Sequence, residues 1–252
     1  GFFVQDQIQY DKWTVSMVGR RDQNTHRTID LTSTDGGTGI QEDDVYSARL
    51  GLRYQFDSGL APYVNYSQSY APRTAAAASA ESQQYEAGVR FQPPALGELM
   101  TVTAFNQIQN NSQVSDAQAG CAVAGCRAWA ELRIRGATVE SRLEPLQGLN
   151  LVASYAVINS AVRRASDDAY ANLLSNRYPE VSEQRFSLGA RYAVSRGALA
   201  GLSLDGRVGR AGALYAGYGQ PGLAVSYTLV DAGINYDFSR LSPSLTGLKL
   251  RA

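Results

Sequence analysis

Long hydrophobic runs are missing from this chain. A helical membrane span needs roughly 20 consecutive apolar residues, and no stretch of the 252 residues supplies one. Mean hydropathy is −0.25, although 44% of residues are hydrophobic. Net charge is missing too: 23 Lys and Arg balance 23 Asp and Glu, and no basic run exceeds two residues. That excludes the electrostatic footprint of a nucleic-acid-binding protein. Histidine is nearly absent. His26 stands alone, near Arg27 and Asp30, with no aligned nucleophile for general-base hydrolysis, so the chain reads as no enzyme. Cysteine is limited to Cys121 and Cys126. In an oxidising compartment they are candidates for a small disulfide, worth about 2 kcal/mol for so short a ring. A metal pair would need two further ligands, which the neighbouring sequence lacks, and free thiols are the remaining alternative.

What is present is alternation. In 45–56, Tyr46, Ala48, Leu50, Leu52, Tyr54 and Phe56 share one side, and Ser47, Arg49, Gly51, Arg53 and Gln55 share the other. The segments 84–91, 185–194, 202–208 and 228–238 repeat the pattern. Successive strand side chains point to opposite faces, so period two gives one apolar and one polar face. Twelve strands are expected, near 1–10, 12–22, 44–56, 60–70, 82–92, 98–109, 132–144, 149–160, 183–195, 201–210, 225–238 and 247–252. Short links fall at 10–12, 57–60, 93–97, 145–148, 196–200 and 239–246. Long links fall near 22–43, 71–81, 110–131, 161–182 and 211–224.

Strict switching between short turns and long loops marks an outer-membrane barrel, with the short turns on the periplasmic rim. Most segments reach the roughly 9–11 residues a membrane-crossing strand requires. Aromatic residues gather beside the short turns: Tyr10, Tyr54, Phe56, Tyr63, Phe91, Tyr192, Tyr236 and Phe238. An interfacial girdle is expected there. The fold class is therefore all-β, a transmembrane antiparallel barrel. Arg49, Arg53, Arg90, Arg191, Arg207, Asp231 and Asp237 are expected to face the lumen.

Several segments resemble TonB-dependent siderophore receptors. Gly1-Phe-Phe-Val-Gln-Asp-Gln7 leading to Trp13 is similar to that family's "GVFVQDQ…W" strand. Val18-Gly-Arg-Arg-Asp22 is similar to "GGRYD", and Ala61-Pro-Tyr-Val-Asn-Tyr66 to "TPYFSY". Gln84 to Arg90 is similar to "QYEVGVK", Arg135-Gly136 with Glu140 to "RGVEIE", and Tyr227 to Asp237 to "YTVVDALVRYD". Six matches in order cover essentially the whole chain, and the ferrichrome-type hydroxamate branch is the nearest. The resemblance implies a 22-stranded barrel of which residues 1–252 form the C-terminal part, strands ten to twenty-one, without the plug domain and the last strand. It also implies uptake of a ferric siderophore, coupling to the TonB complex through a segment outside this chain, and contact with outer-membrane lipid and lipopolysaccharide. A passive porin, or a receptor for another scarce nutrient such as vitamin B12, remains open from the residues alone.

A site for a compact, oxygen-rich ferric complex combines aromatic walls with polar donors. On the long-loop side the candidates are Tyr70, Arg73, Trp129, Tyr178, Tyr215 and Tyr218. The same residues also suit loop packing or an upper girdle. Glu42-Asp43-Asp44 has hard-cation chemistry but lacks the spaced oxygen ligands of a calcium loop, and Gly36-Gly37-Thr38-Gly39 lacks the Lys-Ser/Thr of a phosphate loop.

Overall fold

The computed structural model describes residues 1–29, 38–71, 80–93, 98–114, 128–165, 174, 177, 181–213, 226–240 and 242–252. Twelve strands form one sheet in chain order, every neighbouring pair antiparallel. They are β1 (Phe2–Tyr10), β2 (Trp13–Ile29), β3 (Thr38–Tyr54), β4 (Leu60–Ala71), β5 (Ala80–Phe91), β6 (Leu99–Val114), β7 (Ala128–Leu146), β8 (Leu149–Ala165), β9 (Gln184–Ala193), β10 (Leu202–Ala211), β11 (Tyr227–Asp237) and β12 (Lys249–Arg251).

The order agrees with the alternating-link pattern, but the long-loop ends differ from the sequence reading. Link 22–43 is largely strand: β2 and β3 stay paired up to Ile29 opposite Thr38. β6 and β7 likewise pair up to Val114 opposite Ala128. Above the hydrocarbon either face meets water, so alternation stops signalling strand while the backbone ladder continues. The link after β11 contains two 3-10 turns, Phe238–Arg240 and Pro243–Leu245.

The register assigns the faces, because directly opposite residues share one. One face carries the rows Leu52–Val15, Leu50–Met17 and Leu204–Ile234. The other carries Arg53–Thr14, Gly51–Ser16 and Arg207–Asp231. Large apolar side chains on the first face are open: Leu50 is 54% exposed and Val230 75%. The buried apolar residues among those described are few and mostly small: Ala61, Ala80, Ala130, Leu132, Val162 and Ala211. A two-layer sandwich would bury its apolar faces against each other. Here the apolar face lacks a protein partner and suits hydrocarbon.

The lower rim is aromatic. Trp13 meets Tyr54 edge-on at 4.7 Å, Tyr54 meets Phe56 at 4.7 Å, and Tyr236 meets Phe238 at 5.0 Å. Amphipathic rings favour the headgroup level. Tyr63 differs from the expected girdle: it lies on the polar face, with its hydroxyl 2.7 Å from Thr103 Oγ1. Lys12 donates to Asp57 at 2.5 Å, tying two short turns. That hydrogen bond and the charge of Asp57 raise the Lys12 pKa. The lysine's side of the tie is therefore present at neutral pH and is lost as pH rises through the raised lysine value.

Turn geometry explains two glycines. Gly59 has φ +88°, and a Cβ there would lie 2.3 Å from the Gln92 carbonyl oxygen. Gly148 has φ +86°, and a Cβ there would lie 2.4 Å from the Ala193 carbonyl oxygen.

Two outcomes test this arrangement in the full-length protein. Leu50→Arg, at the middle of the apolar face, should lower stability in lipid vesicles by about 2–4 kcal/mol. Gln7→Arg on the polar face should change it little; denaturant titration with tryptophan fluorescence reads both. Gly88→Ala should destabilise by about 1–3 kcal/mol, because its Cβ would sit 2.6 Å from both Tyr63 Cζ and the Val102 carbonyl oxygen. A melting temperature equal to that of the parent would contradict the close packing.

Candidate functional site

The polar face holds two troughs along its first half. The upper is about 590 Å³ and is lined by Phe3, Gln5, Arg20, Asp22, Arg49 and Tyr70, among others. Its position follows from the sheet. β3 and β4 pair only over Arg49–Arg53 against Tyr63–Ser67. Above Arg49 the two strands part, and the trough lies where they do. β2 supplies Arg20 and Asp22 from alternate positions on one face. Arg20 donates through Nε to Asp22 Oδ2 at 2.5 Å and through Nη2 to Oδ1 at 2.9 Å. This fork holds one guanidinium flat against the wall. Arg49 makes no ion pair or side-chain hydrogen bond among the described residues.

The lower trough, about 460 Å³, is lined by Gln7, Arg53, Tyr63, Asn65, Glu86 and Arg90, among others. Arg53 Nε is buried without an acceptor among the described residues. Across the sheet, β9 to β11 form a third polar patch. Arg191 lies 3.5 Å from Asp205, which also accepts from Asn235.

Tyr70 is the one sequence candidate that borders the upper trough, and its register opposite Glu81 sets it on the apolar face with Tyr66 and Tyr85. Trp129 lies on β7 opposite Gln113, separated from β4 by β5 and β6, so these two aromatics do not form one wall. Arg73, Tyr178, Tyr215, Tyr218, Cys121 and Cys126 lie outside the described residues. His26 sits in β2 opposite Gln41, and its side chain lies outside them too. The acidic triplet is divided: Asp43 alternates with Glu42 and Asp44 along β3, and Asp44 is held by Arg21 at 2.5 Å. Among the described residues no group of His, Cys, Asp and Glu forms a metal cluster.

Loop-side reasoning missed Phe3, Gln5, Arg20, Asp22 and Ser69. Alternation places the first four on the Arg49 face, a signal available once strand pairing is known. The trough offers aromatic surface, amide groups and a free guanidinium, which suits an oxygen-rich ligand held by many weak contacts.

Comparison with known proteins agrees with this architecture. The family model described as TonB dependent receptor-like, beta-barrel, matches residues 1–252. The chain is 30% identical over 253 residues to the ferrichrome outer membrane transporter/phage receptor of Escherichia coli K12, covering 96% of this chain and 32% of that protein. It is 26% identical to the ferrioxamine B receptor of Salmonella typhimurium LT2, covering 98% and 34%. It thus spans about a third of the length of the curated relatives it matches. The siderophore receptor PiuA from Acinetobacter baumannii shares the fold with a TM-score of 0.73 at 17% identity, covering 93% of this chain and 36% of that one. FpvA of P. aeruginosa, bound to a heterologous pyoverdine, gives 0.68 at 17%, covering 94% and 32%. Its strands, register and whole length place this chain in the TonB-dependent receptor β-barrel family, whose relatives here are proteins of the bacterial outer membrane.

Proposed function

We propose that the protein carrying this chain takes up a ferric siderophore of hydroxamate type, with energy supplied through TonB, and that it is a transporter and not an enzyme. The observation that carries this reading is the upper trough, which joins Arg49 to Phe3, Gln5 and Arg20 on the wet face. The named relatives, receptors for ferrichrome and for ferrioxamine B, support the cargo class. In this reading the chain is the C-terminal portion of a 22-stranded barrel, and the plug and TonB-coupling segment belong to other parts of the polypeptide. Ligand enters from the long-loop side and rests against the trough. Neutral donors such as Gln5 and Ser69 bind its oxygens, and Arg49 adds a charge-assisted bond. Such a bond is shorter and stronger than a neutral one.

The test uses the full-length gene in a Gram-negative strain lacking its own hydroxamate receptors. Radiolabelled ferrichrome or ferrioxamine B should accumulate only in cells with a working TonB, and iron starvation should raise expression. Arg49→Gln should weaken ligand binding about tenfold, a loss of ~1.4 kcal/mol, with the barrel still folded. Labelled complex entering equally without TonB would mean a passive pore. Uptake of vitamin B12 with no uptake of either hydroxamate would replace the cargo.

A further inference from the structure

Arg20, Arg21 and Asp22 form a run of three charges on β2, and the pleat sorts them. Arg21 lies on the outer face, gripped by Asp44 of β3 through two hydrogen bonds. Arg20 and Asp22 share the wet face, two positions apart and so roughly 6.6 Å along the strand. At that spacing the long arginine folds back and meets the carboxylate side-on, through both Nε and Nη2. The carboxylate is the more enclosed partner: its side chain is 24% exposed, against 58% for Arg20.

Among the described residues, Arg20, Asp22 and Arg49 are the charged side chains that line the upper trough. The register sets Ser47 opposite Arg20 and Arg49 opposite Val18. The two arginine positions are therefore diagonal neighbours across β2 and β3, roughly 7–8 Å apart. Asp22 stands beyond Arg20, opposite Val45. One carboxylate against two guanidiniums leaves this wall a single net positive charge. Without the carboxylate, two like charges would face the lumen side by side. The fork cancels charge but does not use up the donors. A guanidinium has five N–H groups; two are spent on Asp22, and the others remain open to neutral oxygens.

Iron complexes differ in charge by class. Three hydroxamates, each a monoanion, neutralise ferric iron. Three catecholates, each a dianion, leave the complex a trianion. A site discriminates by a difference of two affinities, and charge left unmatched is one way to build that difference. A wall with one free guanidinium and several neutral donors suits an uncharged complex with oxygens on its surface. It leaves most of a trianion's charge unmet. We infer that Asp22 is a specificity-determining residue: by holding Arg20 in an internal ion pair, it sets the charge of the trough and selects uncharged tris-hydroxamate complexes over polyanionic tris-catecholates. Asp22 acts through Arg20, as a positioning residue. The inference rests on the reading of the trough as a cargo site and adds the residue that selects cargo by charge.

The test titrates the full-length receptor, in neutral detergent, with ferrichrome, an uncharged tris-hydroxamate, and with ferric enterobactin, a trianionic tris-catecholate. Asp22→Asn should tighten ferric enterobactin about tenfold, the scale of one added charge in a partly wet site, and change ferrichrome less than about threefold. The gain should shrink between about 50 and 500 mM salt, because exposed charges are screened. Arg20→Gln with Asp22→Asn restores the single net charge and should return ferric enterobactin to the parent value. Asp22→Glu should keep the parent selectivity. If Asp22→Asn fails to fold, as heat-shifted gel mobility shows, Arg20→Gln alone carries the test. It brings the trough to zero net charge, so ferrioxamine B, whose free ammonium makes its complex a cation, should gain about tenfold over ferrichrome. Unchanged selectivity in these single variants overturns the inference. So does a catecholate gain that persists in the double variant, since shape and not charge would then be responsible. A parent that binds neither hydroxamate complex counts against the proposed cargo, while the response of ferric enterobactin to Asp22→Asn still decides the charge selection.

Discussion

Backbone hydrogen bonding is the constraint on which this structure depends. An unpaired N–H or C=O in hydrocarbon costs several kcal/mol. A sheet can cross a bilayer only when each strand pairs on both sides, and β2 to β11 all do so. Once pairing is obligatory, the pleat forces side chains to alternate. One face must then be apolar and the other is free to be wet. The open apolar rows of Leu50 and Leu204, the aromatic lower rim and the charged inner wall all follow from that requirement.

The inner wall is where function is available, because side chains there are not committed to packing. Some of its charges are matched locally, as with Arg20 to Asp22 and Arg191 to Asp205. These pairs keep the wall hydrated without large net charge. Arg49 stands without such a partner among the described residues in the upper trough, and Arg53 Nε is buried without an acceptor among them.

Much of the architecture was legible in the letters. Tyr46 to Phe56 announced a two-faced strand, and the short links near Asp57 and Gly148 located the lower turns. Three features were not legible. The ladder above the bilayer carries no alternation signal, so β2 and β3 extend beyond their apparent ends. Trp129 and Tyr70 sit on strands far apart in the sheet, a separation that depends on pairing order and not on residue type. The arginines of β7 invert the pattern, with Leu132 and Ile134 turned to the wet face and Arg133 and Arg135 outward. Outside the hydrocarbon nothing obliges the outer face to be greasy. The sequence around Arg73, Tyr178, Tyr215 and Tyr218 follows no repeating physical rule that could be read.

The brief pairing of β3 with β4 has a mechanical meaning. Five rungs join these strands, whereas seventeen join β2 to β3. Force applied to the mouth concentrates on the least-stitched line, so the wall is built like two stiff panels sharing a short seam. Widening that seam by a few ångströms would enlarge the recess beside Arg49 while the panels on either side keep their rungs.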